Sequence, residues 1–154
     1  MACTFDTNIL VYTLPDPANT KREAARELLI RGAQPEASIL LLQSLAEFSY
    51  VALRKFRLSI DSIERRVRDW RQAIPVHAAG EPELLDALNL VRDHRIDFWD
   101  ALLCATASRA GLDYLFSEHL QDGRRFGGLT IVNPFRPENA ALIDRVLPPW
   151  GQAR

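Results

Sequence analysis

Acidic residues follow several predicted β-strands of this chain, and their positions suggest a site for a divalent cation. Asp6 comes directly after the first apolar segment, Glu47 lies one turn into the helix after the second, and Asp100 lies near the start of a later helix. Glu118 and Asp122 follow another short apolar segment. Carboxylates gathered at one point repel each other unless a hard cation neutralises them, so the set indicates Mg²⁺ or Mn²⁺ bound by carboxylate oxygens and water. Such a site suits phosphodiester hydrolysis, in which the metal activates water.

Each acid also has a simpler structural explanation, and the sequence alone leaves these explanations open. Asp6 can cap the short helix that follows it, and Asp97 is better explained as a helix cap than as a metal ligand. Asp100 could form a capping box with Asp97. Glu47 has no basic residue three or four positions away, so no ion pair within its helix explains it. The hypothesis of a metal site therefore rests on the set of acids and not on any one of them.

The elements that must position these acids alternate between short strands and longer helices. Apolar runs predict strands over residues 3–5, 37–42, 114–116 and 129–132. Periodicity, caps and stop signals predict helices over about 19–31, 44–55, 61–74, 82–94 and 98–110. Residues 9–14 fit a short helix or a continued strand, and residues 138–147 fit a terminal helix. This alternation predicts an α/β fold with a mainly parallel sheet, whose site lies beyond the carboxyl ends of the strands.

The composition is that of one ordinary globular domain. The 154 residues are 47% hydrophobic and 25% charged, which excludes a disordered or collagen-like chain. Nineteen Lys and Arg balance twenty Asp and Glu, so any attraction to nucleic acid must be local. Cys3 and Cys104 belong to no metal-binding motif, and the chain has neither a secretory start nor an apolar stretch of membrane-spanning length. We therefore expect a single domain in the cytoplasm.

Several segments of the chain resemble the motifs of PIN-domain ribonucleases, in the family's order. They are Phe5-Asp6-Thr7-Asn8-Ile9-Leu10, Leu45-Ala46-Glu47-Phe48, Phe98-Trp99-Asp100-Ala101-Leu102, Leu115-Phe116-Ser117-Glu118, Leu120-Gln121-Asp122-Gly123 and Asn133-Pro134-Phe135. We expect a PIN domain over residues 1–135, a C-terminal tail over 136–154, and a PIN-like three-layer α/β/α sandwich. Small single-domain PIN proteins are most often the toxins of VapBC-type toxin–antitoxin pairs. The resemblance thus implies an Mg²⁺- or Mn²⁺-dependent endoribonuclease, usually a homodimer, that a partner antitoxin inhibits.

The resemblance also implies roles for individual residues near the first strand. Asp6, Glu47 and Asp100 match the three core acids of the family, which implies that they bind the metal. Thr7 or Asn8 would help to orient Asp6 or the water that the metal holds.

The fourth acid of the family is where this chain departs from the pattern. Related loops often read Ser-Glu-Asp, whereas here the third position is His119. This departure leaves two alternatives: Glu118 or Asp122 supplies the missing charge and assists catalysis, or the site functions with three acids and more water. An exposed loop histidine is the simpler explanation of His119, and contact with a phosphate or proton donation is the alternative.

A local excess of basic residues follows Glu47 in the sequence. Between positions 54 and 71, seven basic residues accompany three acidic ones. Such an excess can bind the phosphate backbone of RNA, and the candidates are Arg54, Lys55, Arg57, Arg65 and Arg68. The alternative is a solvated helix face with internal pairs such as Glu64–Arg68.

Functions of other classes fit the sequence less well. A catalytically weak or inactive PIN-like module that binds RNA or protein is the alternative, and His119 is the only feature that favours it. A phosphotransferase of the haloacid-dehalogenase type would need an aspartate at position 8, where the chain has Asn8. An aspartic protease would need a glycine after Asp-Thr and a second copy of the motif, and no P-loop is present. We therefore predict a single-strand endoribonuclease that uses metal-activated water.

Overall fold

The centre of the molecule is a mostly parallel β-sheet. The computed structural model describes residues 1–150, and its strands are β1 (Cys3–Phe5), β2 (Leu40–Leu41), β3 (Val76–His77), β4 (Tyr114–Phe116), β5 (Arg125–Phe126) and β6 (Leu129–Val132). The order β1-β4-β6-β5 forms one sheet, in which only β5 is antiparallel to its neighbour. β2 and β3 pair in parallel, and a bridge between Cys3 and Ser38 places the β2 segment beside β1.

Helices connect the strands and cover both faces of the sheet. They are α1 (Thr7–Tyr12), α2 (Arg22–Gly32), α3 (Leu42–Arg54), α4 (Ile60–Ala73), α5 (Glu81–His94), α6 (Phe98–Arg109) and, after a 3₁₀ turn at Pro137–Asn139, α7 (Ala140–Val146). Neighbouring residues of a strand pack into different layers: Phe116 belongs to an apolar cluster with side chains of α1 to α4, and Leu115 to a cluster with side chains of α6. Alternate side chains of a strand point to opposite faces, so the predicted three-layer α/β/α sandwich is confirmed.

Most predicted elements occur close to their expected positions, and the second strand needs correction. Only Leu40–Leu41 of the expected strand 37–42 forms β2, because β3 offers just two residues for pairing and Leu42 already begins α3. The residues before β2 still run beside β1, since the amide of Ile39 donates to the carbonyl of Cys3 at 3.0 Å. Ser44 does not open the helix as expected. Its hydroxyl donates to the carbonyl of Phe5 at 2.9 Å.

The C-terminal segment packs on the rest of the domain. Ile143, Val146 and Leu147 are buried in the same cluster as α2 side chains, and Arg31 of α2 donates to Asp144 at 2.7 Å. Residues 151–154 of the expected tail 136–154 lie outside the described residues. None of the described helices is both long and apolar enough to cross a membrane.

Candidate active site

Asp6 lies at the carboxyl end of β1 and is held by three donors. The amide of Thr7 donates to its Oδ1 at 2.6 Å, which caps α1. The Asn8 amide group and the Ser117 hydroxyl donate to its Oδ2 at 2.7 and 2.6 Å. Burial raises the pKa of Asp6, although the hydrogen bonds from Ser117 and Thr7 favour the charged form. The capping and site interpretations therefore both apply to this residue: Asp6 caps a helix and also belongs to a buried polar cluster.

Glu47 lies in the second turn of α3 and faces the same region. The hydroxyl of Thr7 donates to its Oε2 at 3.2 Å, which links α3 to the residue beside Asp6. The amide group of Gln43, one turn earlier, donates to Oε1 at 2.8 Å and to the carbonyl of Trp99 at 2.9 Å. Gln43 thus connects Glu47 with the first turn of α6, where Asp100 lies.

Asp100 completes the group of acids from the start of α6. Burial, followed by the charges of Asp6, Asp97 and Glu47, raises its pKa. Burial and the charges of Asp100 and Asp6 also raise the pKa of the Cys104 thiol to about 12, one turn along the helix. Asp97 caps α6 by accepting from the amide of Trp99 at 2.9 Å, as predicted. Asp100 makes no side-chain hydrogen bond with any residue that the structure describes, so the capping box does not form.

The electrostatics of this group suit a cation. Among the charged groups of residues 1–150 that most affect the pKa of Asp6 or Asp100, only His119 is basic, and it favours the charged carboxylates. Oxygen donors of this type are those that Mg²⁺ and Mn²⁺ prefer. Within residues 1–150, however, no group of three or more His, Cys, Asp or Glu side chains is already arranged to hold a metal ion. The donor chemistry therefore fits a hard divalent ion. The carboxylates of Asp6 and Glu47 accept hydrogen bonds from neighbouring groups, whereas that of Asp100 accepts none from the described side chains.

Glu118 lies beside this group, but its carboxylate is bound elsewhere. The Tyr12 hydroxyl donates to Oε2 and the Lys21 ammonium donates to Oε1. Burial alone would raise the pKa of Glu118, yet the hydrogen bonds from Lys21 and Tyr12 lower it. His119, next in the chain, is exposed, and its backbone amide donates to the Ser117 hydroxyl at 3.2 Å.

Asp122 has a role inside its own loop. Its Oδ1 accepts from the amide of Asn133 at 2.7 Å and from the side chain of Asn139 at 2.9 Å. Its Oδ2 lies 3.7 Å from the guanidinium of Arg136. The structure therefore does not bring Asp122 into the group formed by Asp6, Glu47 and Asp100.

Comparison with known proteins identifies the family. The sequence model of the PIN domain matches residues 3–119, which is most of the chain and includes all three acids. The chain belongs to the PIN domain family. The resemblance seen in the sequence is confirmed, and the match ends before Asp122. No curated protein sequence matches the chain significantly.

Two solved structures share the PIN fold of this chain. Mycobacterium tuberculosis VapC20, a sarcin–ricin loop cleaving toxin, is 14% identical, with 75% of this chain and 88% of VapC20 covered and a TM-score of 0.60. A chain of a toxin–antitoxin complex from Klebsiella pneumoniae is 22% identical, with 87% of this chain and 98% of that chain covered and a TM-score of 0.64. At these identities the likeness establishes the fold.

The basic residues proposed to bind RNA lie outside the acidic group of the PIN domain. Arg54, Lys55 and Arg57 are exposed around the end of α3. Arg68 is exposed too, but its guanidinium donates to Glu64 at 2.6 Å, the internal pair that the sequence spacing allows. Arg65 is exposed on α4.

Sequence reasoning missed several residues that hold the acids of this PIN domain. Ser117 is fully buried and bonds to Asp6. The sequence feature that could have indicated Ser117 is its position directly after β4, at the carboxyl end of the sheet. Gln43 lies four residues before Glu47, a spacing at which helix side chains meet. No local sequence pattern indicates the contacts of Tyr12 and Lys21 with Glu118, because only the folded chain brings these residues together.

Proposed function

We propose that this PIN domain is an Mg²⁺- or Mn²⁺-dependent single-strand endoribonuclease and the toxin of a VapC-type toxin–antitoxin pair. The observation that carries the proposal is that Asp6, Glu47 and Asp100, from three separate elements, lie in one region, where no Lys or Arg of residues 1–150 is among the main causes of the pKa shifts of Asp6 and Asp100. Asp6 is buried and Glu47 and Asp100 are half-buried, so repulsion between their charges raises the free energy of the metal-free protein, and a divalent cation would relieve that repulsion. Membership of the PIN family and the likeness to a sarcin–ricin loop cleaving toxin support the same function.

In this proposal the three acids hold the metal, and their neighbours orient them. Asn8 and Ser117 fix one oxygen of Asp6, and Thr7 contacts both Asp6 and Glu47. The bound ion would activate water and stabilise the negative charge that develops on the leaving oxygen. We assign no metal contact to Glu118 or Asp122, since a cationic side chain of the protein lies against each carboxylate: Lys21 binds Glu118, and the guanidinium of Arg136 lies 3.7 Å from Asp122.

The α3 helix offers a path for the RNA away from these acids. Arg54 is seven residues after Glu47, so it lies two turns further on the same face, about 10 Å along the axis. Arg54, Lys55, Arg57 and Arg65 would bind phosphates of the substrate, whereas Arg68 would contribute less because Glu64 already neutralises it.

We also propose that the protein forms a homodimer through an apolar groove between α3 and α6. Leu42, Tyr50, Trp99 and Leu102 line this groove of about 610 Å³, and the first three side chains are 51%, 65% and 59% exposed. Large exposed apolar surfaces of this kind are typical of protein interfaces. A second copy of the chain is the proposed occupant, because apolar leucines of α5 (Leu84, Leu85 and Leu88) are exposed as well and would extend the contact.

The remaining parts of the proposal concern the inhibitor and the compartment. The Klebsiella structure is a toxin–antitoxin complex, which supports a protein antitoxin of the VapB type as the partner of this chain. Cys3 and Cys104 are buried free thiols, which suits the reducing cytoplasm where RNA substrates occur.

The proposal is tested by RNA cleavage with the purified protein. We expect cleavage of single-stranded RNA in the presence of Mn²⁺, none with a chelator, and none by Asp100→Asn. Asp100 is the best choice for substitution because its side chain makes no hydrogen bond within residues 1–150 that the fold would lose. Asp86→Asn is the matched control: the side chain of Asp86 is 42% exposed and pairs with Arg109 at the opposite end of α6, so the activity of this variant should equal that of the wild type. Cleavage by Asp100→Asn at the wild-type rate would contradict the assignment of Asp100 as a metal ligand. A wild type that neither binds metal nor cleaves RNA would favour a binding module.

A further inference from the structure

A charged anchor joins the loop after β4 to the first two helices. Glu118 of this loop accepts from Tyr12 at the end of α1 and from Lys21 at the start of α2. The Lys21 ammonium lies 5.4 Å from the ring centroids of both Tyr12 and Phe135, and the two rings are 5.6 Å apart, nearly perpendicular. We call Tyr12, Lys21 and Glu118 the Glu118 anchor. Because Lys21 and Tyr12 are themselves held by packing, the anchor fixes the position of Glu118.

Hydrogen bonds connect the backbone of the loop at the anchor to Asp6. The amide of Glu118 donates to Oδ1 of Asn8 at 3.3 Å, and the amide group of Asn8 donates to Oδ2 of Asp6 at 2.7 Å. The preceding residue, Ser117, donates to the same Oδ2 at 2.6 Å. The Ser117 oxygen in turn accepts from the amides of His119 and Leu120, both at 3.2 Å. The loop therefore supplies or orients both donors to one oxygen of Asp6.

We propose that Glu118 is a positioning residue and not a metal ligand: the anchor holds the loop so that Ser117 and Asn8 fix Asp6 for cation binding. This inference rests on the proposed function. It explains the presence of an acid next to His119 whose two oxygens face Tyr12 and Lys21. Loss of the anchor would let the loop shift, so that Asp6 would lose orientation and the donors that stabilise its charge. Substitution of such supporting partners typically weakens metal binding by about tenfold or more.

The competing assignment, with Glu118 as the fourth ligand, predicts the opposite sign for one substitution. Lys21→Met removes the cation that binds Glu118 while keeping a long apolar side chain against Tyr12 and Phe135. If Glu118 were a ligand, its release from Lys21 would make it available and tighten Mn²⁺ binding. If Glu118 positions the loop, the same substitution weakens Mn²⁺ binding by about tenfold.

The experiment is calorimetric titration of the full-length chain with Mn²⁺, together with RNA cleavage at saturating Mn²⁺. We expect Lys21→Met to weaken binding about tenfold and to retain most of kcat at saturating metal, and Lys21→Arg to restore wild-type affinity. Tyr12→Phe, which keeps the ring and removes only the hydroxyl, should weaken binding about threefold, since one of the two contacts survives.

Arg31→Met is the matched control, because it removes another long cation of α2 that pairs with Glu27 and Asp144. It should lower thermal stability without changing the affinity for Mn²⁺. Unchanged or tighter Mn²⁺ binding by Lys21→Met, with a wild type that binds and cleaves, would overturn the positioning role and leave the proposed function intact. A wild type that neither binds Mn²⁺ nor cleaves RNA would overturn the proposed function and this inference with it.

Discussion

The hydrogen bond from Ser117 to Asp6 provides a direct way to perturb the site without touching an acid. Ser117 is fully buried, and its hydroxyl lies 2.6 Å from Oδ2 of Asp6. A hydrogen bond to a charged group contributes about 1.5–3 kcal/mol, and about 1.4 kcal/mol corresponds to a factor of ten in an equilibrium constant. Ser117→Ala should therefore weaken Mn²⁺ binding by about tenfold or more at neutral pH.

The pH dependence gives this prediction a second readout. Burial already raises the pKa of Asp6, and the Ser117 hydrogen bond opposes that rise. Since protons compete with the metal for the carboxylate, the wild type should lose Mn²⁺ affinity as the pH falls through the raised pKa. In Ser117→Ala the ionised form is less stabilised, so the loss should begin at a higher pH. Calorimetric titrations over a pH series measure both effects.

Ser38→Ala is the control for the loss of a buried hydroxyl. Ser38 is 3% exposed, and its hydroxyl donates to the carbonyl of Gly32 at 2.7 Å instead of to an acid. Both substitutions should destabilise the fold, by roughly 1 kcal/mol for Ser38→Ala and by about 1.5–3 kcal/mol for Ser117→Ala. Ser38→Ala should leave the affinity for Mn²⁺ and its pH dependence unchanged. Equal affinities and pH profiles in the two variants would refute the reasoning.

Three further predictions address the electrostatics, the RNA path and the homodimer. Burial and neighbouring acids raise the pKa of Asp100, so the metal-free folded state binds more protons than the unfolded state and loses stability as the pH rises through that range. At pH 7 the urea midpoint of unfolding of metal-free Asp100→Asn should therefore be higher than that of the wild type, whereas near pH 3 the two midpoints should agree. Equal midpoints at pH 7 would argue against repulsion between Asp100 and the neighbouring acids. Arg54→Ala should weaken RNA binding and reduce the slope of log affinity against log salt by about 0.7, more than Arg68→Ala does; equal slopes would remove α3 from the RNA path. In sedimentation, Leu42→Glu should be a monomer. Ile60→Glu, which changes an exposed residue of α4 as a control, should remain a dimer. If both variants are dimers, the groove is not the interface.

The main features of the fold could be predicted from sequence because local patterns determine them. The apolar segments at β1, β4 and β6 and the capped or Gly- and Pro-bounded helices carry their own signals, and Asp97 caps α6 as expected. β3 and β5 could not be predicted, since two residues are too few to show a period. The exact start of α3 also depends on a long-range contact, the bond from Ser44 to Phe5.

The structure brings three of the acids chosen from the sequence into one region, whereas the partners of the acids could not be predicted. Asp6, Glu47 and Asp100 could be chosen by type and by position after a strand or at a helix start. The partners of Glu118 are 97 and 106 residues away in sequence, so no local spacing indicates that its carboxylate is already bound. The same holds for Asp122, which the sequence offered as a catalytic acid and the fold joins to Asn133 and Asn139.

The central claim is that Asp6, Glu47 and Asp100 form a binding site for a divalent cation, and titration of the metal-free protein with Mn²⁺ tests it most directly. The account predicts saturable binding to the wild type and its loss in Asp100→Asn, with both proteins folded by circular dichroism. Equal binding in the variant, or no binding in the wild type, would contradict it.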